Sequence, residues 1–423
     1  SCYLRMNLAR LRLLLSLCSL CALALFALCF LAGSTLVTEA YQGRSLPLLN
    51  KLLAHAGRHP LDFYISKMYG VLNLCLLLWC VFTLTAALTL HRLRRPALSG
   101  KDWLDHVMFV VYTAAFGYIL LYFGVQRSWY VIDKIMAYEG APPFQHRVMF
   151  VFPAQVLQYA VPQLGALQSF LWSQVLAVVL MLWSVRRFAT LFIRSDLAFI
   201  GQFLILCIWA PTLHYYTFYD IGIIFVYSFC LYHLLRRELL PYVAMLVAGT
   251  FNHEITLFLI VTSGFVFLGH MRWRSLAAFL ALQLILYFLV RLLMFYLLPA
   301  HQAWEGGKLG FNLNLLLNDT RGLVYSLAPL LLWYLLAATG WRHAPLSLRR
   351  CTIILPCLIA MTALVGQFNE ARQFDAFIPV AMALMLCSLS ARLDVPAKPS
   401  PAGDSVWTST GFLKLRAARP QHG

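Results

Sequence analysis

The residues of this 423-residue chain that could do chemistry lie in short polar stretches between long apolar runs. The first stretch holds Glu39 and Asp62, with Arg44, His55, Arg58 and His59 between them. A carboxylate shielded from bulk water can act as general base toward a hydroxyl, which makes these two the catalytic candidates. Glu39, nearest the preceding apolar run, is the better placed; solvated or headgroup-contacting side chains are the plain alternative. The second stretch, Pro142-Pro143-Phe144-Gln145-His146-Arg147, has consecutive prolines that stiffen its approach. It presents His146 and Arg147 at a fixed place, and a planar guanidinium suits a phosphate. Pairing of Arg147 with a carboxylate is the alternative.

The third stretch, His214 to Asp220, is an aromatic belt closed by an acid; Asp220 either caps the helix it opens or binds a sugar. The fourth is Asn252-His253-Glu254, in the middle of an apolar segment, where two half-helices meeting at a polar tip would mark a substrate site. An ion pair of Glu254 with Arg291 or Arg372 is its rival reading. The last is Asn369-Glu370-Ala371-Arg372-Gln373-Phe374-Asp375, either a clamp for sugar hydroxyls or a self-neutralising network. Arg291 stands apart, inside an apolar run and more than about 20 Å from its cytoplasmic end, so it must face a cavity or a partner. The substrate-binding candidates are therefore His146, Arg147, Asp220, Asn252, Glu254, Arg291, Glu370 and Arg372.

What must position these residues is a membrane bundle. The chain is 61% hydrophobic and 12% charged, and its apolar runs have the length of membrane spans, about 17 to 25 residues. Basic clusters such as Arg92, Arg94 and Arg95, or Arg186 and Arg187, sit at alternate span ends, which places those ends in the cytoplasm. The runs then read as Leu13–Gly33, Tyr69–Leu90, Val107–Val125, Gly165–Val185, Leu197–Thr212 and Ile221–Leu235. Two short helices follow within Leu239–Gly269, then Ser275–Leu298, Leu323–Gly340, Cys351–Gln367 and Phe377–Ala391. This is an all-α polytopic bundle of roughly twelve crossings with both termini cytoplasmic. Residues 1–391 form the transmembrane domain and 392–423 a disordered cytoplasmic tail. Outside, a surface helix is expected from Ser45, and a re-entrant or interfacial helix over Val148–Leu164, broken by Pro153 and Pro162.

The same features exclude other classes. A net charge of +17 would suit nucleic acid, but the basic residues are scattered at span ends, so nucleic acid is not an expected partner. Nearly all of the eleven cysteines lie in apolar runs, where a thiol packs as a small hydrophobe; Cys18 and Cys21 spell C-x-x-C without a further ligand nearby. The polar stretches contain no H-E-x-x-H, G-x-S-x-G or Walker sequence, which removes most support for a metalloprotease, serine hydrolase or ATPase. Asn318-Asp319-Thr320 fits a glycosylation acceptor, a triplet common by chance.

In its multi-span layout, its first external loop with carboxylates, and its turns Pro143-Phe144-Gln145-His146-Arg147, Tyr219-Asp220, Asn252-His253-Glu254 and Glu370-Ala371-Arg372, the chain resembles uncharacterised bacterial members of the GT-C superfamily of integral-membrane glycosyltransferases. The resemblance runs from about Leu13 to Ala391, through architecture and short motifs. It implies a polyprenyl-phosphate sugar donor, a glycan, lipid or protein acceptor, a bacterial inner membrane, and an acidic catalytic residue in the first external loop, which maps onto Glu39 or Asp62. Neither belongs to the paired acids of several such families. Transfer would take place on the extracytoplasmic face with inversion. No cofactor follows from the residues; a divalent metal ion is the one candidate. Alternatives are a transporter or flippase of a lipid-linked or small polar substrate, and a membrane polysaccharide polymerase.

Overall fold

A computed structural model describes residues 13–27, 61–93, 103–121, 132–139, 146–212, 218–298 and 307–393. Among the described residues the chain is all helical, with no strand. The expected surface helix from Ser45 and the tail beyond residue 393 lie outside them. In order the helices are α1 (Leu13–Ala27), α2 (Leu61–Leu93), α3 (Trp103–Ile119), α4 (Val151–Ala160), α5 (Ala166–Ala189) and α6 (Phe199–Trp209). Then come α7 (Phe218–Leu235), α8 (Leu239–Thr250), α9 (Leu257–Phe267), α10 (Trp273–Leu297), α11 (Leu309–Asn318), α12 (Thr320–Ala338), α13 (Leu346–Cys351), α14 (Ile354–Leu364) and α15 (Ile378–Arg392).

Stretches within Tyr69–Leu93, Ala166–Ala189, Trp273–Leu297, Leu346–Leu364 and Ala371–Arg392 are long and apolar enough to cross a membrane. Shorter apolar helices, α8 and α9 among them, accompany these five. By length and composition this is a membrane protein. The segment Leu239–Gly269 does divide into two short helices at Asn252–Glu254. The stretch around Pro153 forms only the ten-residue α4. α11 was not expected from the pattern and precedes α12 directly, with Asp319 between them capping α12 through the Gly322 amide at 3.1 Å.

Basic residues close the last turns of α2, α5 and α15, where they complement the carbonyl end of each helix. The core is built on α5, α6, α7 and α15. On α5 the buried residues Phe170, Gln174, Ala177, Met181, Val185 and Phe188 recur every three or four positions and make one inward stripe. α15 is central: the most apolar part of Ala371–Arg392, the turn and helix that it closes, is 83% buried, against 22% for α10, which lies at the periphery. Close backbone approach depends on glycine at two places. A Cβ on Gly249 of α8 would overlap Val226 of α7, and one on Gly340 would overlap the Leu384 carbonyl of α15.

At the end of the bundle where α2 and α5 finish, Asp105 of α3 receives Arg92 at 2.7 Å and Arg186 at 2.6 Å. Arg92 also donates to the Asp196 carbonyl and lies over the Phe199 ring. Arg194 grips Asp196 through two nitrogens, at 2.6 and 2.8 Å, and donates to the Arg92 carbonyl at 2.9 Å. Arg92 and Asp105 are buried, so this ionic knot is internal. The candidate functional residues gather at the opposite end.

Candidate functional site

The site is assembled around the break between α8 and α9. The amides of Val148 and Met149 both donate to the Phe251 carbonyl, at 2.7 and 3.2 Å, and tie the segment before α4 to the end of α8. The same segment is held from α5, where Ser173 donates to the Phe150 carbonyl. Arg147 is thereby aimed at the break, and its Nη2 donates to Glu254 Oε1 at 2.9 Å. Arg147 is 5% exposed and Glu254 29%, so Glu254 is the more accessible side chain of the pair, although its Oε2 is itself buried.

The break itself is pinned by hydroxyls. Tyr287 of α10 donates to the Glu254 carbonyl at 2.9 Å, Tyr227 of α7 to the Ile255 carbonyl at 2.6 Å, and Thr250 and Thr256 bond across the gap at 3.0 Å. Backbone groups freed by the interruption are satisfied by protein, as a non-helical segment at membrane depth requires. Gly222 lets α7 lie against it: a Cβ there would come within 2.8 Å of both the Asn252 amide group and the Phe150 ring.

His253 and His146 are neutral members of the site. His253 Nδ1 accepts the Ile255 amide at 3.3 Å, so its proton is on Nε2. The 3.5 Å approach of Nδ1 to Glu254 Oε2 is then a contact of two acceptors rather than an ion pair. His146 places Nε2 2.9 Å from the Leu298 carbonyl and its ring edge-on to Phe295. Burial lowers its pKa, against the raising effect of that carbonyl.

A second ionic group adjoins the first. In the turn Ala371–Phe377, Arg372 Nη2 bonds Glu370 Oε2 at 2.8 Å, and Gln373 donates to the same oxygen at 2.9 Å. Tyr334 of α12 steadies the turn through the Phe374 carbonyl at 2.9 Å. Asp375 is fully buried and accepts from Thr212 at 3.2 Å. Asp220, also buried, lies within electrostatic reach of Arg372, Arg147 and Glu370, and of Asp375. Three arginines, Arg147, Arg291 and Arg372, thus meet four carboxylates, Asp220, Glu254, Glu370 and Asp375. Asp220 Oδ2, Glu254 Oε2, Asp375 Oδ1 and Arg291 Nη1 are buried without a hydrogen-bond partner among the described residues. Unmet polar atoms on both acids and a base are what a polar ligand or ordered water would complete.

No protein-family model, curated protein or solved structure matches the chain.

Sequence position alone therefore meets geometry here. The structure brings His146, Arg147, Asp220, Asn252, Glu254, Arg291, Glu370 and Arg372 to one end of the bundle. Two details differ from expectation. Glu254 pairs with Arg147 and not with Arg291 or Arg372, because Arg372 is taken by Glu370 and the Phe251 carbonyl draws the Arg147 segment onto the break. Asp220 is no helix cap, since α7 already starts at Phe218 and the acid is turned into the core. Glu39 lies outside the described residues, and of Asp62 only the backbone, in the first turn of α2, is described. Among the described residues no three His, Cys, Asp or Glu side chains come together as metal ligands. The site residues not foreseen are Asp375, Thr212 and Tyr287. Asp375 lies in the stretch 369–375, read as a clamp or a self-neutralising network without a role for this acid alone; Tyr287 lies one turn before Arg291, inside an apolar run.

Proposed function

We propose that the chain is a membrane glycosyltransferase of GT-C type that moves a sugar, with inversion, from a polyprenyl-phosphate donor to an acceptor hydroxyl at the extracytoplasmic face. The observation that carries this reading is the convergence of three arginines and four carboxylates from separate segments on one end of an apolar bundle, with unmet hydrogen-bonding atoms of both charges. Buried charge in a membrane bundle is costly and is kept for a function. Such a site can divide the work of group transfer. A carboxylate takes the proton of the acceptor hydroxyl, whose oxygen then attacks the anomeric carbon. The bond from that carbon to the phosphate oxygen breaks, its electron pair leaves with the lipid phosphate, and an arginine balances the charge that develops there. The base afterwards returns its proton to water. Glu39 and Asp62 are the base candidates from the family resemblance, and Asp220 and Asp375 those from the site itself.

The experiment is mass spectrometry of lipid that copurifies with the protein, followed by transfer assays on Glu39→Gln, Asp62→Asn, Asp220→Asn, Asp375→Asn and Arg147→Ala. A copurified polyprenyl-phosphate sugar, with transfer abolished by one carboxylate change, supports the enzyme. Full transfer by all four carboxylate variants removes general-base catalysis by these residues. A carrier is the second reading, favoured by the two short helices that meet at the polar Asn252–Glu254 break. Counterflow of a solute in sealed vesicles, without chemical change, decides for it.

A further inference from the structure

α9 and α10 run side by side but leave between them a groove of about 390 Å³, lined by apolar residues that include Leu257, Ile260, Gly264, Leu276, Leu280 and Leu284. Gly264 supplies part of that width, because a Cβ there would stand 3.5 Å from a Leu280 methyl, in ordinary contact. Phe265 and Leu268 on the rim are 44% and 57% exposed, so the groove opens sideways, toward whatever surrounds the bundle.

Both walls end in charge at the same end. Glu254 precedes Leu257 by three residues, one helical turn. On α10, Leu276, Leu280 and Leu284 form one stripe, and Arg291, seven residues beyond Leu284, falls back on it after two turns. The guanidinium of Arg291 lies 5.5 Å over the Phe295 ring and within electrostatic reach of His146, Glu254 and Tyr287. Among the described residues, its Nη1 is buried without a hydrogen-bond partner. Arg147, by contrast, is already engaged with Glu254. From Leu257 to Leu268 the groove extends about 16 Å along α9.

We propose that this groove holds the hydrocarbon chain of a single-chain lipid phosphate whose phosphate is bound by Arg291. The proposal deepens the glycosyltransferase reading and rests on it for the identity of the headgroup; it places the donor and assigns the phosphate to Arg291 instead of Arg147. Among the described residues, Arg350 at one end of the groove is taken up by the Val266 and Leu268 carbonyls and Arg147 at the other by Glu254, so the donor left for one phosphate on one chain is Arg291. A two-chain phospholipid would leave its second chain outside, and a free phosphate would make no use of the groove.

Binding tests this without requiring transfer. The full chain in detergent is titrated with polyprenyl monophosphate, neutral polyprenol, dioleoyl phosphatidic acid or inorganic phosphate, and bound lipid is read by native mass spectrometry. Polyprenyl monophosphate should bind at least about tenfold more tightly than the other three, as loss of a charge-assisted hydrogen bond implies. Arg291→Gln should remove about that factor, and Arg291→Lys should keep part of it. Gly264→Leu should weaken binding by filling the groove, and an unchanged Tm in detergent shows that the loss does not come from unfolding. Wild-type affinity in both Arg291→Gln and Gly264→Leu, or equal binding of phosphatidic acid or inorganic phosphate, overturns the proposal. Tight, Arg291-dependent binding with no sugar transfer from any donor would instead sink the enzyme reading and leave the lipid site standing.

Discussion

Arg147 and Glu254, 107 positions apart in the chain, close a 2.9 Å ion pair that joins the segment before α4 to the break between α8 and α9. The pair forms only when α4, α5 and α8 are all in place. It is therefore a report on the assembly of this end of the bundle as well as part of the site.

Glu254→Gln leaves the buried Arg147 without its counter-charge, and the expected cost is on the order of 3 kcal/mol. Replacing both members, Arg147→Met with Glu254→Gln, should cost less than the two single changes added together. A double-mutant cycle of thermal unfolding in detergent measures the difference; additive losses would mean the two side chains do not interact.

Acid should destabilise the protein through buried His146. Burial holds its folded pKa below the ordinary 6.5, so the unfolded chain binds the proton more readily. Its contribution is complete above pH of about 6.5 and falls below it, by up to about 1.4 kcal/mol per pH unit. His146→Asn, whose amide can still donate to the Leu298 carbonyl, should flatten the fall in Tm between pH 7 and pH 5. An unchanged slope would remove His146 as its source.

Gly249 is a packing contact that can be tested by compensation. Gly249→Ala pushes a methyl into Val226 and should cost about 1–3 kcal/mol. Adding Val226→Ala should return part of that loss. If the second change only deepens it, α7 and α8 do not meet through these two residues.

Asp105→Asn should weaken the knot at the other end of the bundle by about 3–5 kcal/mol, because two arginines lose one shared buried acid. Tm in detergent reads the loss. The end that carries Arg147 should keep its lipid binding in the surviving folded fraction.

Much of this arrangement was legible in the sequence, for physical reasons that differ from place to place. The break at Asn252–Glu254 could be read because arginines flank Leu239–Gly269 on both sides and demand an even number of passes. Arg291 could be read because a charge so deep in an apolar helix must face inward. The partner of Glu254 could not, since no local spacing relates it to Arg147. α11 was missed because Asn312 and Asn314 break its apolar pattern. Asn312 is in fact buried, and its amide donates to the carbonyls of Thr362, Ala363 and Gly366 at 2.9, 3.1 and 3.0 Å, closing the end of α14. Side-chain satisfaction of a distant helix end leaves no periodic trace. The place of Asp375 was illegible for a related reason: net charge along a turn does not tell which acid points to which neighbour, and here Arg372 takes Glu370 while Asp375 accepts from Thr212.

The knot around Asp105 has a consequence for how the chain is built. Arg92 and Asp105 are made in quick succession and can neutralise each other at once, whereas Arg186 follows only after α4 and most of α5. During synthesis α2 and α3 can therefore enter the bilayer as a balanced hairpin, and the arrival of α5 adds a positive charge to a junction already formed. The nascent protein acquires a fixed floor before Arg147, Asp220, Glu254, Arg291 and Glu370 of its opposite rim exist.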